Sequence, residues 1–112
     1  MQLHHEKLDA YQVSTEFLGF AFEIIKNMPP GYGFLGDQLK RASLSIPLNI
    51  AEGNGKFNTQ DQSKFYKIAR GSANECGAIF DAASTINVIE HEEWQKGKNL
   101  IVRIVSMLSK MI

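Results

Sequence analysis

The chain has 112 residues, enough for one domain that buries roughly 65% of its unfolded surface. Twelve basic residues balance twelve acidic ones, which excludes a strong overall pull toward bulk nucleic acid or an anionic membrane. The single cysteine, Cys76, excludes an intrachain disulfide and points to a reducing compartment. The stretch from Met1 to Lys7 holds no apolar signal region, and no run of 18 apolar residues occurs anywhere, so the expectation is a soluble, cytoplasmic protein with no membrane contact.

The first predicted helix runs from about Glu6 to Asn27. Tyr11, Leu18, Phe22 and Ile25 form one apolar ridge, and Val13, Phe17, Phe20 and Ile24 form another. Together they cover roughly 200° of the helical wheel, twice the span of an ordinary surface helix. One bundle core cannot take both ridges, so the second, with Phe17, Phe20 and Ile24, is expected to meet a neighbouring subunit. Met28-Pro29-Pro30-Gly31-Tyr32-Gly33 stops this helix.

The second helix, Phe34 to Gly53, organises the rest. Leu35, Leu39, Ala42, Ile46 and Ile50 share one face. A polar stripe of Gln38, Arg41, Ser45, Asn49 and Glu52 runs beside it at spacings of three and four. On the far side Leu44, Leu48 and Ala51 make a second apolar patch, which reads as a further oligomer contact at Leu44 and Leu48. Pro47 lacks an N–H, so a kink is expected, and Gly53 fits a C-cap.

The third helix starts at Thr59, capped by Asn58 or Thr59, with the stripe Phe65, Ile68, Ala69, Ser72, Cys76, Ile79, Phe80, Ala83 and Ile86. Gly71 inside it suggests a close backbone approach. The chain turns near Asn87 to Glu90. A fourth helix from about Glu92 to Met111 turns Trp94, Ile101, Ile104, Val105, Leu108 and Ile112 inward. Four helices with short connections and no strand pattern predict an all-α, up-down-up-down four-helix bundle in a single domain.

Chemistry is sparse. His4 and His5 are adjacent and His91 stands alone, with no ligand spacing for a metal. Cys76 lies on a core stripe with no histidine near it on that helix, which suits a buried thiol and not a nucleophile. Gly53-Asn54-Gly55-Lys56 looks like a phosphate loop but follows a helix and lacks the full spacing. The expectation is a protein without catalytic residues, metal or cofactor. The polar stripe must find partners, since an unmatched buried polar group costs roughly 1–3 kcal/mol. Glu75, Arg70 and Ser72 on the third helix, or the same stripe on another subunit, are the candidates. The stripe therefore reads either as a register lock or as a binding surface. The middle third, residues 36–70, holds Lys40, Arg41, Lys56, Lys64, Lys67 and Arg70 against Asp37, Glu52 and Asp61, a net +3. Lys40, Lys56, Lys64, Lys67 and Arg70 form either a solvated face or a nucleic-acid patch.

The blocks Leu39-Lys40-Arg41-Ala42-Ser43-Leu44-Ser45-Ile46-Pro47-Leu48-Asn49-Ile50-Ala51-Glu52-Gly53 and Phe65-Tyr66-Lys67-Ile68-Ala69-Arg70-Gly71-Ser72, then Glu75, together resemble a known family. It comprises the four-helix proteins encoded in intervening sequences of bacterial 23S rRNA genes, often labelled ribosomal-protein-like. That family is similar to the accessory variability determinant proteins of diversity-generating retroelements. The resemblance implies a ring-like homopentamer and RNA contact. Two functional expectations follow: a homo-oligomeric scaffold that recruits RNA or an RNA-processing protein, or a protein-interaction module without nucleic-acid affinity. The even charge balance departs from the basic retroelement proteins and favours the second.

Overall fold

The computed structural model describes residues 3–112. Met1 and Gln2, included in the N-terminal stretch above, lie outside the described residues, as does the side chain of Lys7. A short 3-10 turn, His4–Lys7, leads into α1 (Asp9–Lys26), α2 (Gly33–Asn54), α3 (Thr59–Thr85) and α4 (His91–Met111). Among the described residues there is no strand. Each helix packs on the next in sequence and α4 closes on α1, which gives a four-helix bundle 45 × 28 × 22 Å in extent. Diagonal helices do not approach closely through their backbones, and α1 reaches α3 through Phe17 and Phe20, whose rings lie 5.7 and 6.2 Å from that of Phe80.

Local chemistry sets the helix ends. The Asn58 side chain accepts the Asp61 N–H at 2.8 Å and caps α3, as its sequence position predicts. Glu93 reaches back to the Glu90 N–H at 2.8 Å and starts α4 one residue before the expected place. Asn87, at φ 60°, makes the turn between α3 and α4. The helix α2 runs through buried Pro47 without a break.

Three glycines differ from their sequence reading. Gly53 is not a C-cap, because α2 continues to Asn54 and Gly55 follows at a right-handed φ of −78°. Its role is close approach: a Cβ there would sit 2.8 Å from the Tyr66 ring and 3.1 Å from the Gln62 carbonyl oxygen. That approach explains why Tyr66 is buried although it lay outside the predicted stripe. Gly71 faces open space, with nothing within 4 Å of a Cβ built on it. Gly97 on α4 does what Gly71 was expected to do, since a Cβ there would run into the Phe80 ring of α3.

The core corrects the reading of α1. Phe17 and Ile24 are 0% and 3% exposed, so the ridge assigned to a neighbouring subunit is the centre of this chain's own core. Phe20 is half-buried, its ring 6.2 Å from that of Phe80 and capped by the Lys96 ammonium at 4.6 Å. The physical reason is the position of α1 between α2 and α4, which together cover a broad face. The other ridge is the outer one: Tyr11, Leu18 and Ile25 are half-buried and Phe22 is exposed. Ile68, Ile86 and Ile112, expected inside, are exposed too.

These contacts predict opposite outcomes for two alanine substitutions. Gly97→Ala lowers stability by about 1–3 kcal/mol through overpacking against Phe80. Gly71→Ala raises it by up to about 1 kcal/mol, because only helix propensity changes. Denaturant titration checks both, and equal effects at the two sites would contradict this account of the α3–α4 contact.

Candidate functional site

Three surfaces hold the residues singled out by the sequence. The first is the polar stripe of α2. Its members do find partners on α3, and they do so within one chain. The Ser45 and Ser72 hydroxyls are 2.8 Å apart across the α2–α3 contact. Asn49 Nδ2 donates to the Ser45 carbonyl oxygen at 2.8 Å and to Ser45 Oγ at 3.0 Å. Arg41 donates to Gln38 Oε1 at 2.6 Å and lies 4.0 Å from a carboxylate oxygen of Glu75. Glu52 turns the other way, to Lys56 at 3.2 Å. Ser45, Asn49 and Ser72 are half-buried, whereas Gln38, Arg41, Glu52 and Glu75 are exposed. The inner members thus lock register, and the outer members remain accessible to a partner.

The second surface is basic. Lys56, Lys64 and Lys67 gather where α2 hands over to α3, with the Lys56 and Lys64 ammonium groups 5.1 and 6.0 Å from the Phe65 ring centre. Lys64, Lys67 and Arg70 follow at spacings of three along the outside of α3. Arg70 leans to α4, where Nη1 donates to Ser109 Oγ at 3.4 Å. Lys40 is not part of this group. It lies toward the opposite end of α2, beside the Pro29–Gly33 turn. Phe57, which sequence reasoning passed over, is fully exposed among these cations in the α2–α3 connection.

The third surface is apolar. Leu44 and Leu48, one turn apart on the outside of α2, are 43% and 59% exposed. Sequence reasoning missed its counterpart, an open groove of about 530 Å³ between α3 and α4. Gly77, Ala78, Ile101, Val102 and Val105 line the groove, and Val102 is 62% exposed. Asp81 closes one end. It accepts from Trp94 Nε1 at 2.8 Å and from Lys98 Nζ at 2.8 and 3.0 Å. The Lys98 hydrogen bond, then that of Trp94, holds the Asp81 carboxyl below the usual carboxylate range.

Little else offers chemistry. Burial, reinforced by the neighbouring Glu75 charge, pushes the Cys76 thiol up to about 12, so it stays protonated and inert. Among the described residues no cluster of His, Cys, Asp and Glu has the arrangement of a metal site, and no helix is long and apolar enough to cross a membrane.

The model of the 23S rRNA-intervening sequence protein family matches residues 6–110. The chain belongs to that family. No curated protein matches it. In this intervening-sequence protein the two sequence blocks quoted above form the facing surfaces of α2 and α3. The residues Ser45, Asn49, Gly53, Ser72 and Glu75 within or just after those blocks are ones the structure brings together.

The Asp81 cluster gives a pH signature. A carboxyl with a lowered folded pKa contributes stability above its unfolded value, near 3.8, and loses it as pH falls through the lower folded value. Asp81→Asn should therefore be less stable than the native chain near neutral pH, by at most about 1 kcal/mol for so exposed a pair. The gap should close below pH 4. Thermal unfolding across that window checks it, and a gap independent of pH would contradict the ionic origin.

Proposed function

We propose that this chain is a non-catalytic, homo-oligomeric cytoplasmic scaffold that offers RNA a basic, aromatic end of each bundle. The observation that carries the assembly is the outward leucine pair of α2. Leu44 and Leu48 leave 43% and 59% of their surface open to solvent, although α2 is already buried on the side facing α1 and α3. Covering such a pair is worth about 25 cal/mol for each Å² of apolar surface removed from water. The likeness of the sequence blocks to the ring-forming relatives favours five copies.

The RNA contact rests on the α2–α3 end. Phe57 gives a base a stacking platform, and Lys56, Lys64 and Lys67 surround it with cations for the backbone. Copies of this end around an assembly turn a weak local cluster of cations into a multivalent surface. A second reading, a protein-interaction module without nucleic-acid affinity, is favoured by the even overall charge and by the Glu52–Lys56 ion pair, which spends one of these cations internally.

Titration with single-stranded and structured RNA at several salt concentrations separates the two. The scaffold reading expects saturable binding that weakens steeply with salt. It further expects Lys64→Glu with Lys67→Glu to abolish binding, and Phe57→Ala to weaken single-strand binding by about tenfold. Absence of binding at low salt would overturn the RNA assignment and leave the interaction module.

A further inference from the structure

The chain carries two unpartnered apolar surfaces of opposite shape. One is the convex Leu44–Leu48 pair on α2, and the other is the concave α3–α4 groove around Ala78 and Val102. They lie on different sides of the bundle, because the groove lies between α3 and α4 and the α2 backbone does not come near that of α4. One chain cannot fill its own groove with its own ridge. A second copy can.

The charges beside the two surfaces are complementary. On α2 a cation, Arg41, precedes the leucines by about a turn, and an anion, Glu52, follows them by one. Along α3 the order is the same, cation then anion: Arg70 lies one turn before Asn74, and Asp81 closes the far end of the groove. Arg41 and Glu52 are eleven positions apart, as are Arg70 and Asp81. At the helical rise both spans are about 16 Å. An α2 laid antiparallel to the α3 of another copy therefore brings Arg41 to Asp81 and Glu52 to Arg70 together, with Leu44 and Leu48 over the groove floor between them. The pairs that Arg41, Glu52 and Arg70 now make are exposed, and pairs of that kind cost little to rearrange. Asp81 keeps Trp94 and Lys98 and offers Arg41 the free lone-pair side of Oδ2.

We propose that the Leu44–Leu48 ridge of one copy seats in the α3–α4 groove of the next, fixed by Arg41 on Asp81 and Glu52 on Arg70. The contact is heterologous: each copy gives a ridge on one side and a groove on another, so assembly proceeds around a closed ring or along an open chain. This rests on the homo-oligomer reading and assigns the two faces of its interface.

Two variants and their mixture test it. Leu48→Asp keeps the groove and loses the ridge, and Val102→Asp keeps the ridge and loses the groove. Both positions are well exposed, so both variants should retain native helicity. Each alone should be a monomer, and an equimolar mixture should form a one-to-one dimer through the single intact ridge and groove. A second experiment swaps charges. Glu52→Arg and Arg70→Glu should each weaken self-association about tenfold, and the double variant should recover most of that loss. If Val102→Asp assembles as the native chain does while Leu48→Asp does not, the groove is not the seat and the proposal falls, though assembly through α2 stands. A native chain that is itself monomeric overturns both.

Discussion

The close approach of α2 to α3 fixes where everything else on this molecule lies. Gly53 is the enabling residue, because only a position without a Cβ lets the Tyr66 ring and the Gln62 backbone come so near. Two turns earlier on α2, the Ser45 and Ser72 hydroxyls meet at 2.8 Å, and Asn49 fastens to Ser45 from the same helix. A further turn back, Arg41 and Glu75 approach at the surface. These contacts define one register. Sliding α3 by a turn would carry the Tyr66 ring off the gap that Gly53 leaves and leave the half-buried hydroxyls unmatched, at roughly 1–3 kcal/mol for each orphaned group.

That register also decides what remains on the outside. Once the face with Leu39, Ile46 and Ile50 is turned to the core and the face with Ser45 and Asn49 to α3, Leu44 and Leu48 have nowhere to go but outward. The same register carries Lys64 and Lys67 to the end of the bundle where Phe57 projects, and keeps Lys40 at the other. On the opposite side of α3, at the contact with α4, each of the two helices gives a small residue: Gly77 of α3 beside Ile101, and Gly97 of α4 beneath Phe80. The helices approach there, and the groove around Ala78 and Val102 stays unfilled.

Much of this was legible in the sequence, and the failures share a cause. Periodicity identified four helices, the inner face of α2, and the outward leucines, because a patch opposite the core is visible on a wheel. It also named Ser72 and Glu75 as partners of the stripe. It misplaced Phe17 and Ile24 because a wheel gives the width of an apolar face and not which part of it points at the core. Helix α1 packs between two neighbours and reaches the third helix through Phe17 and Phe20 on Phe80, so its width needed no second subunit. Glycines failed in the same way. Gly53, Gly71 and Gly97 look alike in sequence, and only the opposing Tyr66 and Phe80 rings show which two permit contact. The Asp81, Trp94 and Lys98 cluster was invisible because its members come from two helices with no shared spacing.

The central claim is that the outer face of α2 is covered by another copy. Sedimentation equilibrium of the unmodified protein, over a concentration series, tests it most directly. The account predicts a mass that is a multiple of one chain and falls toward one chain only on strong dilution. A single-chain mass at every concentration would contradict it and leave Leu44 and Leu48 exposed to water without a partner of their own kind.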